Sequence, residues 1–269
     1  MLRFNFSFFF ATRCCGGLFA TTSTARSNRS IASGSNSISF SFWGFFVMPP
    51  QPLSKVRPKA KVLPAPETLY SHRPWLAPLA MAVIAHWSEI EAKTAAILTY
   101  VLHAEAKPTM AMIQAIRSAS AQMDMVESAG IAKLDGQDLE IFGATLRLAR
   151  IAAKKRHPIA HHIWAFDLQM TDAIFLVEPS AYLEMYTQLA DGSRQLWEPD
   201  RNRVMVYRQR DFEEIIAEMK TVARCIDLAS WALNGRDPVS PKTYELLFAE
   251  PLFQEALKWT RKNRPRPAE

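Results

Sequence analysis

The sequence has few cysteines and no long apolar run, and each shortage excludes a class of protein. Only three of its 269 residues are cysteine, and two of them, Cys14 and Cys15, are adjacent near the start. The third, Cys225, stands alone, so neither a disulfide framework nor a CxxC zinc site is predicted. No stretch reaches the roughly 18 uninterrupted apolar residues of a membrane helix. We therefore expect a cytoplasmic protein that does not enter a membrane.

Acidic residues are missing from the N-terminal part of the chain, where the first one is Glu67. Eight Lys and Arg residues precede it, whereas residues 68–269 hold 24 Lys and Arg against 25 Asp and Glu. The net charge of +6 therefore belongs to the N-terminal part. It gives no sign that the rest of the chain presents a broad cationic face to nucleic acid.

Residues 1–47 form a leader with a composition of its own: ten of the 16 Phe, many Ser and no acid, without helical periodicity. Three interpretations stay open: a secretory signal, an organelle presequence, or a start codon assigned too early, with synthesis beginning at Met48. The third is favoured, because the apolar run and the amphipathic helix that the other two require are poorly matched. Residues 48–69 are then expected to be a disordered arm, and residues 263–269 a basic, proline-containing tail.

Between residues 70 and 262, four segments show the three- and four-residue spacing of amphipathic helices, and each predicts one helix. Antiparallel bundles bury such stripes, so a single mainly α domain with a four-helix bundle core is predicted, followed by a last helix over residues 244–262. The four stripes are Trp75, Leu79, Val83, Trp87, Ile90, Ile97 and Val101; Met112, Ile116, Ala119, Met123 and Val126; Leu139, Phe142, Leu146, Ala149 and Ala153; and Phe212, Ile215, Met219, Val222, Ile226, Ala229 and Leu233.

The hydrophobic period changes between the third and fourth stripes. Residues 163–169 and 173–177 alternate or run apolar around a polar turn, which predicts a β-hairpin. A short helix is expected over residues 179–190 and a third strand over residues 203–207. The predicted fold class is therefore mainly α, with a small α/β insertion at about residues 163–208 between the third and fourth core helices.

The most conspicuous chemical cluster is Arg-His-Pro-Ile-Ala-His-His at residues 156–162. Arg156 continues the third apolar stripe, so its guanidinium is expected on the inward edge of the helix. Pro158 is expected to stop the helix, which would place His161 and His162 in the turn just beyond it. An Arg and a His at such a break can converge on one point.

The chemistry that an Arg and a His share at close range is specific. A planar guanidinium matches phosphate geometry and stabilises charge on phosphoryl oxygens. An imidazole whose pKa is near neutrality can take or give a proton at a ribose hydroxyl or a leaving oxygen. Together they suit metal-independent RNA cleavage, in which the 2′-hydroxyl attacks the adjacent phosphate.

The run from Arg156 to His161 resembles the signature of the HEPN superfamily: an Arg, often followed by Asn, Asp or His, with a second His a few residues later. The stretch from Arg156 to Trp164 is also similar to one in uncharacterised bacterial helical proteins of this general type. The resemblance implies a compact helical bundle, frequently homodimeric, with the two motifs meeting at the interface. Many members are RNases, and several act as toxins or in defence beside a nucleotidyltransferase partner, while others have lost catalysis.

By this resemblance Arg156 would bind the scissile phosphate and His161 would be the general acid or base, with His157 and His162 in support and neither metal nor cofactor required. The residues themselves leave alternatives open. Cations in the last turn of any helix complement its dipole, so the cluster could be purely structural. A zinc ion held by the three histidines is a less favoured alternative. A non-catalytic helical interaction or dimerisation module is the alternative function.

Overall fold

A computed structural model describes residues 49–64, 66–193, 198–234 and 241–263. The leader at residues 1–47, the proposed start at Met48 and nearly all of the predicted tail lie outside these ranges. The described helices are α1 (Leu53–Val56), α2 (Pro66–His72), α3 (Leu76–Leu102), α4 (Ala106–Ala115), α5 (Ala119–Lys133), α6 (Gly136–His161), α7 (Pro179–Ala190), α8 (Gln209–Leu233), α9 (Pro241–Ala249) and α10 (Pro251–Asn263). The strands are β1 (Gln51–Pro52), β2 (Ile163–Ala165), β3 (Ala173–Val177) and β4 (Val204–Arg208).

Long helices build the core, which confirms the predicted mainly α fold. Helix α3 packs against α5, α6 and α8, and α6 packs in addition against α8 and α10. The first, third and fourth predicted stripes supply this core, with Val83 and Ile90 from α3, Phe142 from α6, and Phe212 and Val222 from α8 all buried. In the second stripe, Met112 and Ala119 are exposed. Among the described helices, none combines the length and apolarity needed to cross a bilayer.

Two of the predicted helices are each divided into two. The second stripe spans α4 and α5, because residues 116–118 are not helical and Ser118 caps α5 by accepting a hydrogen bond from the Ala121 N–H. The side chain of Gln122 donates to the carbonyls of Ile113 and Ile116, which satisfies the end of α4. The last helix is likewise divided into α9 and α10: Pro251 begins α10, as proline suits a first helical turn.

The small sheet has three of its four strands where the insertion was predicted, between α6 and α8. Its strands are antiparallel in the order β1-β4-β3-β2, with Ile163 opposite Val177 at one end of the hairpin. All five residues of β3 are buried, so both faces of this strand are covered. Ile174 and Leu176 join the helical core, whereas Phe175 and its neighbours on the other face belong to a second apolar cluster.

The N-terminal arm covers that second face, so the prediction of disorder over residues 48–69 is wrong for the described part of the arm. Strand β1 pairs with β4, and Leu53, Ala60 and Val62 are buried in the second cluster. Leu63 then forms a backbone bridge with Phe166. Both faces of β3 are apolar and must be buried. The helical core buries one face, and the N-terminal arm buries the other.

A buried arginine ties the end of α2 to the turn of the hairpin. Arg73, directly after α2, is only 2% exposed. Its guanidinium donates to the carbonyls of Ala173 at 3.3 Å, Asp167 at 3.2 Å and Met170 at 2.6 Å, and also to its neighbour His72. Burial lowers the pKa of Arg73, while the carboxylates of Asp172 and Asp167 oppose that shift. The guanidinium of Arg73 therefore holds three backbone carbonyls of the turn between β2 and β3 together.

Candidate functional site

The Arg-His cluster occupies the last two turns of α6, and its helix does not stop where the sequence predicted. Pro158 lies inside α6, His161 is the last helical residue, and only His162 is extended. The expectation that His161 lies in a turn beyond the helix is therefore wrong. Arg156, which was predicted on the inward edge of the helix, has a half-buried side chain.

Packing and hydrogen bonds hold the helix together across the proline. Ile159 is 3% exposed and anchors the last turn in the core. The indole N–H of Trp164 donates to the carbonyl of Ile159 at 3.0 Å, and the His162 N–H closes the helix on the carbonyl of Pro158 at 3.0 Å. These contacts offset the hydrogen bond that proline cannot donate to Lys154.

The two residues proposed as the catalytic pair are in direct contact. Arg156 Nη1 lies 2.8 Å from His161 Nε2. A guanidinium can only donate, so Nε2 must accept, which requires a neutral imidazole with its proton on Nδ1. No carboxylate of the described residues pairs with Arg156, whereas its neighbour Lys155 pairs with Glu218. Arg156 therefore keeps its charge unneutralised next to a neutral histidine.

Two further imidazoles complete the cluster. The His157 ring centroid lies 4.8 Å from that of His161, one helical turn away, and 6.0 Å from that of His162. His157 and His161 are exposed and His162 is half-buried. Arg156 Nε and His162 Nδ1 are buried and have no hydrogen-bond partner among the described residues. The cluster thus exposes two histidines to solvent, and it also contains two buried polar atoms without a hydrogen-bond partner among the described residues.

The local environment disfavours protonation of two of the histidines. Loss of solvent lowers the pKa of His161, and the charges of Arg156 and His157 lower it further. Burial also lowers the pKa of His162, against the opposing charge of Glu178 and a hydrogen bond with the Leu176 backbone. The unfolded chain binds these protons more readily than the folded one. Above pH 6.5 these two histidines do not lower the free energy of unfolding. Below it, the free energy of unfolding decreases as pH falls through the lowered pKa values.

Replacing Arg156 with glutamine is expected to raise the pKa of His161, because it removes the second-largest cause of the shift. The pKa should stay below 6.5, since burial and His157 remain. A proton NMR titration of the His161 Cε1–H resonance measures this directly. Lys155→Gln, a neighbouring cation already paired with Glu218, is the matched control and should leave His161 unchanged. An unchanged His161 pKa in Arg156→Gln would contradict the contact between the two side chains.

Two neighbours of the cluster were not identified from the sequence. Trp164 braces the last turn of α6 through Ile159, and its ring lies 6.2 Å from that of Tyr70. Ile163 pairs with Val177 in the hairpin, so His162 and Glu178, the next residues along the two strands, lie opposite each other. The charge of Glu178 therefore acts on His162. The register of the predicted hairpin is the signal that could have found Glu178.

The cluster lies on an open surface. Two surface cavities, of about 1030 Å³ and about 290 Å³, are lined by other residues. Within the described ranges, no group of three His, Cys, Asp or Glu side chains is placed to hold a metal ion. A search of protein-family models, curated proteins and solved structures finds no match to the chain.

Proposed function

We propose that this chain is a HEPN-like, metal-independent endoribonuclease, or a degenerate relative of one, that acts in the cytoplasm as a homodimer. One observation carries the proposal: the 2.8 Å contact between Arg156 Nη1 and His161 Nε2 at an exposed site. Arg156, which has no carboxylate partner among the described residues, can turn its N–H groups from His161 to a phosphate, and the Nε2 lone pair of neutral His161 is then free to accept a proton.

The pair can cleave RNA by attack of a ribose 2′-oxygen on the adjacent phosphorus. When the N–H groups of Arg156 move from His161 to the phosphate, Nε2 of neutral His161 takes the proton of a ribose 2′-hydroxyl while the 2′-oxygen attacks the adjacent phosphorus. The N–H groups of Arg156 bind the non-bridging oxygens and stabilise their charge in the transition state. The P–O5′ bond breaks, and the leaving oxygen takes a proton from a second imidazole, for which His157 is the neighbour. The products are a 2′,3′-cyclic phosphate and a 5′-hydroxyl.

The homodimer is what the resemblance implies, and the open position of the cluster supports it. Electrostatic stabilisation of a phosphate is strongest where water is excluded, and the cluster lies outside both cavities. A second copy placed against the end of α6 would enclose two such clusters in one cleft. A stress or defence role in bacteria, beside a nucleotidyltransferase-type antitoxin, is the context that the resemblance suggests for such an enzyme.

The direct test is incubation of the purified full-length chain with mixed RNA, with and without a chelator. We expect cleavage that persists in the chelator and yields 2′,3′-cyclic phosphate ends, detected by their resistance to a phosphatase that does not open the ring. Products with 3′-hydroxyl and 5′-phosphate ends would contradict the proposed roles of Arg156 and His161. Absence of cleavage, with monomer and dimer both assayed, would leave only the non-catalytic form.

A non-catalytic dimerisation module is the second candidate, and the buried, unpartnered Arg156 Nε and His162 Nδ1 favour it. Buried polar groups normally have partners, and a second protein surface could supply them. In this case the Arg156→Gln variant should be monomeric in light scattering where the native chain is dimeric. Neither protein should cleave RNA. In the nuclease, by contrast, His161→Ala should abolish cleavage and leave the mass of the assembly unchanged.

A further inference from the structure

The larger surface cavity is a groove between α5, α6 and α10, separate from the Arg-His cluster. Its volume is about 1030 Å³, at the upper end of the roughly 300–1,000 Å³ that small-molecule sites occupy. Both tryptophans of the groove are in long helices, Trp87 in α3 and Trp259 in α10. Its apolar lining consists of Trp87, Ala119, Met123, Ile131, Leu139, Gly143, Ile151, Ala153 and Trp259.

The charged side chains of the groove are unevenly paired. Arg150 binds Glu127 at 2.6 Å and Asp124 at 3.3 Å. Glu140 binds Arg261 at 2.8 Å. Two groove cations of α6, Arg147 and Lys154, have no carboxylate partner in the part of the chain that the structure describes. They lie two helical turns apart on the same face, about 10 Å along the helix axis.

A tryptophan positions one of these cations. The guanidinium carbon of Arg147 lies 3.7 Å from the centroid of the Trp259 ring. Such a cation–π contact holds the guanidinium in place while its N–H groups remain able to donate to an anion. The Trp259 side chain is 46% exposed, so apolar surface beside the cation is open to a ligand.

We infer that this groove binds an amphipathic organic anion, a single carboxylate joined to a long or polycyclic apolar body. The apolar body lies on the walls between Trp87 and Trp259, and the carboxylate meets Arg147 beside Trp259, while Lys154 adds positive charge from two helical turns away. This combination of a mainly apolar concave wall and a few convergent polar groups is typical of small-molecule sites. Asp124 and Glu127 of α5 pair with Arg150 but not with Arg147 or Lys154. The ligand provides the negative charge that these two cations lack.

Charge decides between this ligand and a nucleic acid. Asp124, Glu127 and Glu140 also line the groove, so a polyanion lying along it would meet three carboxylates. A single carboxylate needs only the neighbourhood of Arg147. The chain's own leader, residues 1–47, contains no Asp or Glu and so offers these cations no counter-charge.

The test uses the full-length chain and two probes of equal chain length, dodecanoate and dodecan-1-ol, both below their aggregation concentrations. Calorimetry should show dodecanoate binding about tenfold or more tightly than the alcohol, because charge-assisted hydrogen bonds form only with the acid. Binding should also change the tryptophan emission, since Trp87 and Trp259 line the groove. Absence of dodecanoate binding, or equal affinity for both probes, would overturn the inference.

Variants locate the site. The double variant Arg147→Gln with Lys154→Gln should weaken dodecanoate binding about tenfold and leave the alcohol unaffected. Lys220→Gln, an exposed lysine of α8 outside the groove, is the matched control and should change neither. Ser120→Trp, at an exposed lining position, should weaken both probes by filling the space. Dodecanoate binding that survives the double variant, or a short single-stranded RNA that binds there in its place, would refute the proposed ligand.

Discussion

Replacing His161 with alanine is expected to lower the rate of RNA cleavage by about 10²–10⁴-fold, the usual contribution of a positioned general acid or base. The side chain is exposed, at the end of α6, so the fold should tolerate its loss. The measurement is the single-turnover rate on one RNA substrate, with circular dichroism to confirm the unchanged helical content.

The matched control is His86→Ala, a half-buried histidine of α3 whose imidazole lies 3.6 Å from Glu89. It should retain the full rate. Arg156→Gln should also lose activity, and His161→Ala combined with Arg156→Gln should lose little more than either alone, because two groups that act on one phosphate are not additive. Full activity in His161→Ala would exclude the imidazole from the reaction and with it the proposed site.

Replacing Arg73 with methionine is expected to lower the free energy of unfolding by about 3–5 kcal/mol, the range found when one partner of a buried charged network is removed. Methionine fills much of the space but leaves the carbonyls of Asp167, Met170 and Ala173 without this donor. It also removes the cation near the buried carboxylate of Asp167, which accepts from the backbone N–H groups of Lys61 and Gln169. Urea unfolding followed by circular dichroism measures the loss.

Two controls separate burial from charge in that experiment. Arg210→Met removes an exposed arginine whose guanidinium binds Glu214 one turn away on α8, and should cost less than about 0.5 kcal/mol. Arg73→Lys keeps the charge but cannot reproduce the planar set of donors, so its loss should lie between the two. Equal stability of Arg73→Met and the native chain would show that the turn between β2 and β3 does not depend on Arg73.

The helices with clear apolar stripes could be predicted from the sequence because their spacing reports burial directly. The stripe that includes Phe212 and Val222 gave α8, and the change of period after His162 gave the hairpin. Breaks inside a continuous stripe were missed. The stripe through Ile116 stays in phase across residues 116–118, and only the capping contacts of Ser118 and Gln122 show that the helix is interrupted.

The arm could not be predicted, because its structure depends on distant partners. Gln51 pairs with Val206, more than 150 residues later, and Leu53 is a single apolar residue without a periodic pattern around it. Local propensity contains no information about such a pairing. The error at Pro158 has the opposite origin: a local rule was applied where the burial of Ile159 and the bond from Trp164 decide the outcome.

The candidate site was predicted in its residues but not in its geometry. The proximity of Arg156 to His161 followed from the short motif. The neutral state of His161 Nε2 depends on a 2.8 Å contact that spacing alone does not specify. The groove beside Arg147 and Trp259 was not predicted at all, because it combines residues more than a hundred positions apart.

The edges of the small sheet limit how this protein can associate with other chains. In the described part of the sheet, one outer strand is β1, only two residues long, and its Pro52 has no N–H to donate. The other is β2, three residues long, and the arm bridges its far end at Leu63. Such blunted edges offer an incoming strand almost no backbone to pair with. Fibril-like growth by strand addition is therefore hindered, and a second copy would have to dock side chain to side chain on a helical surface.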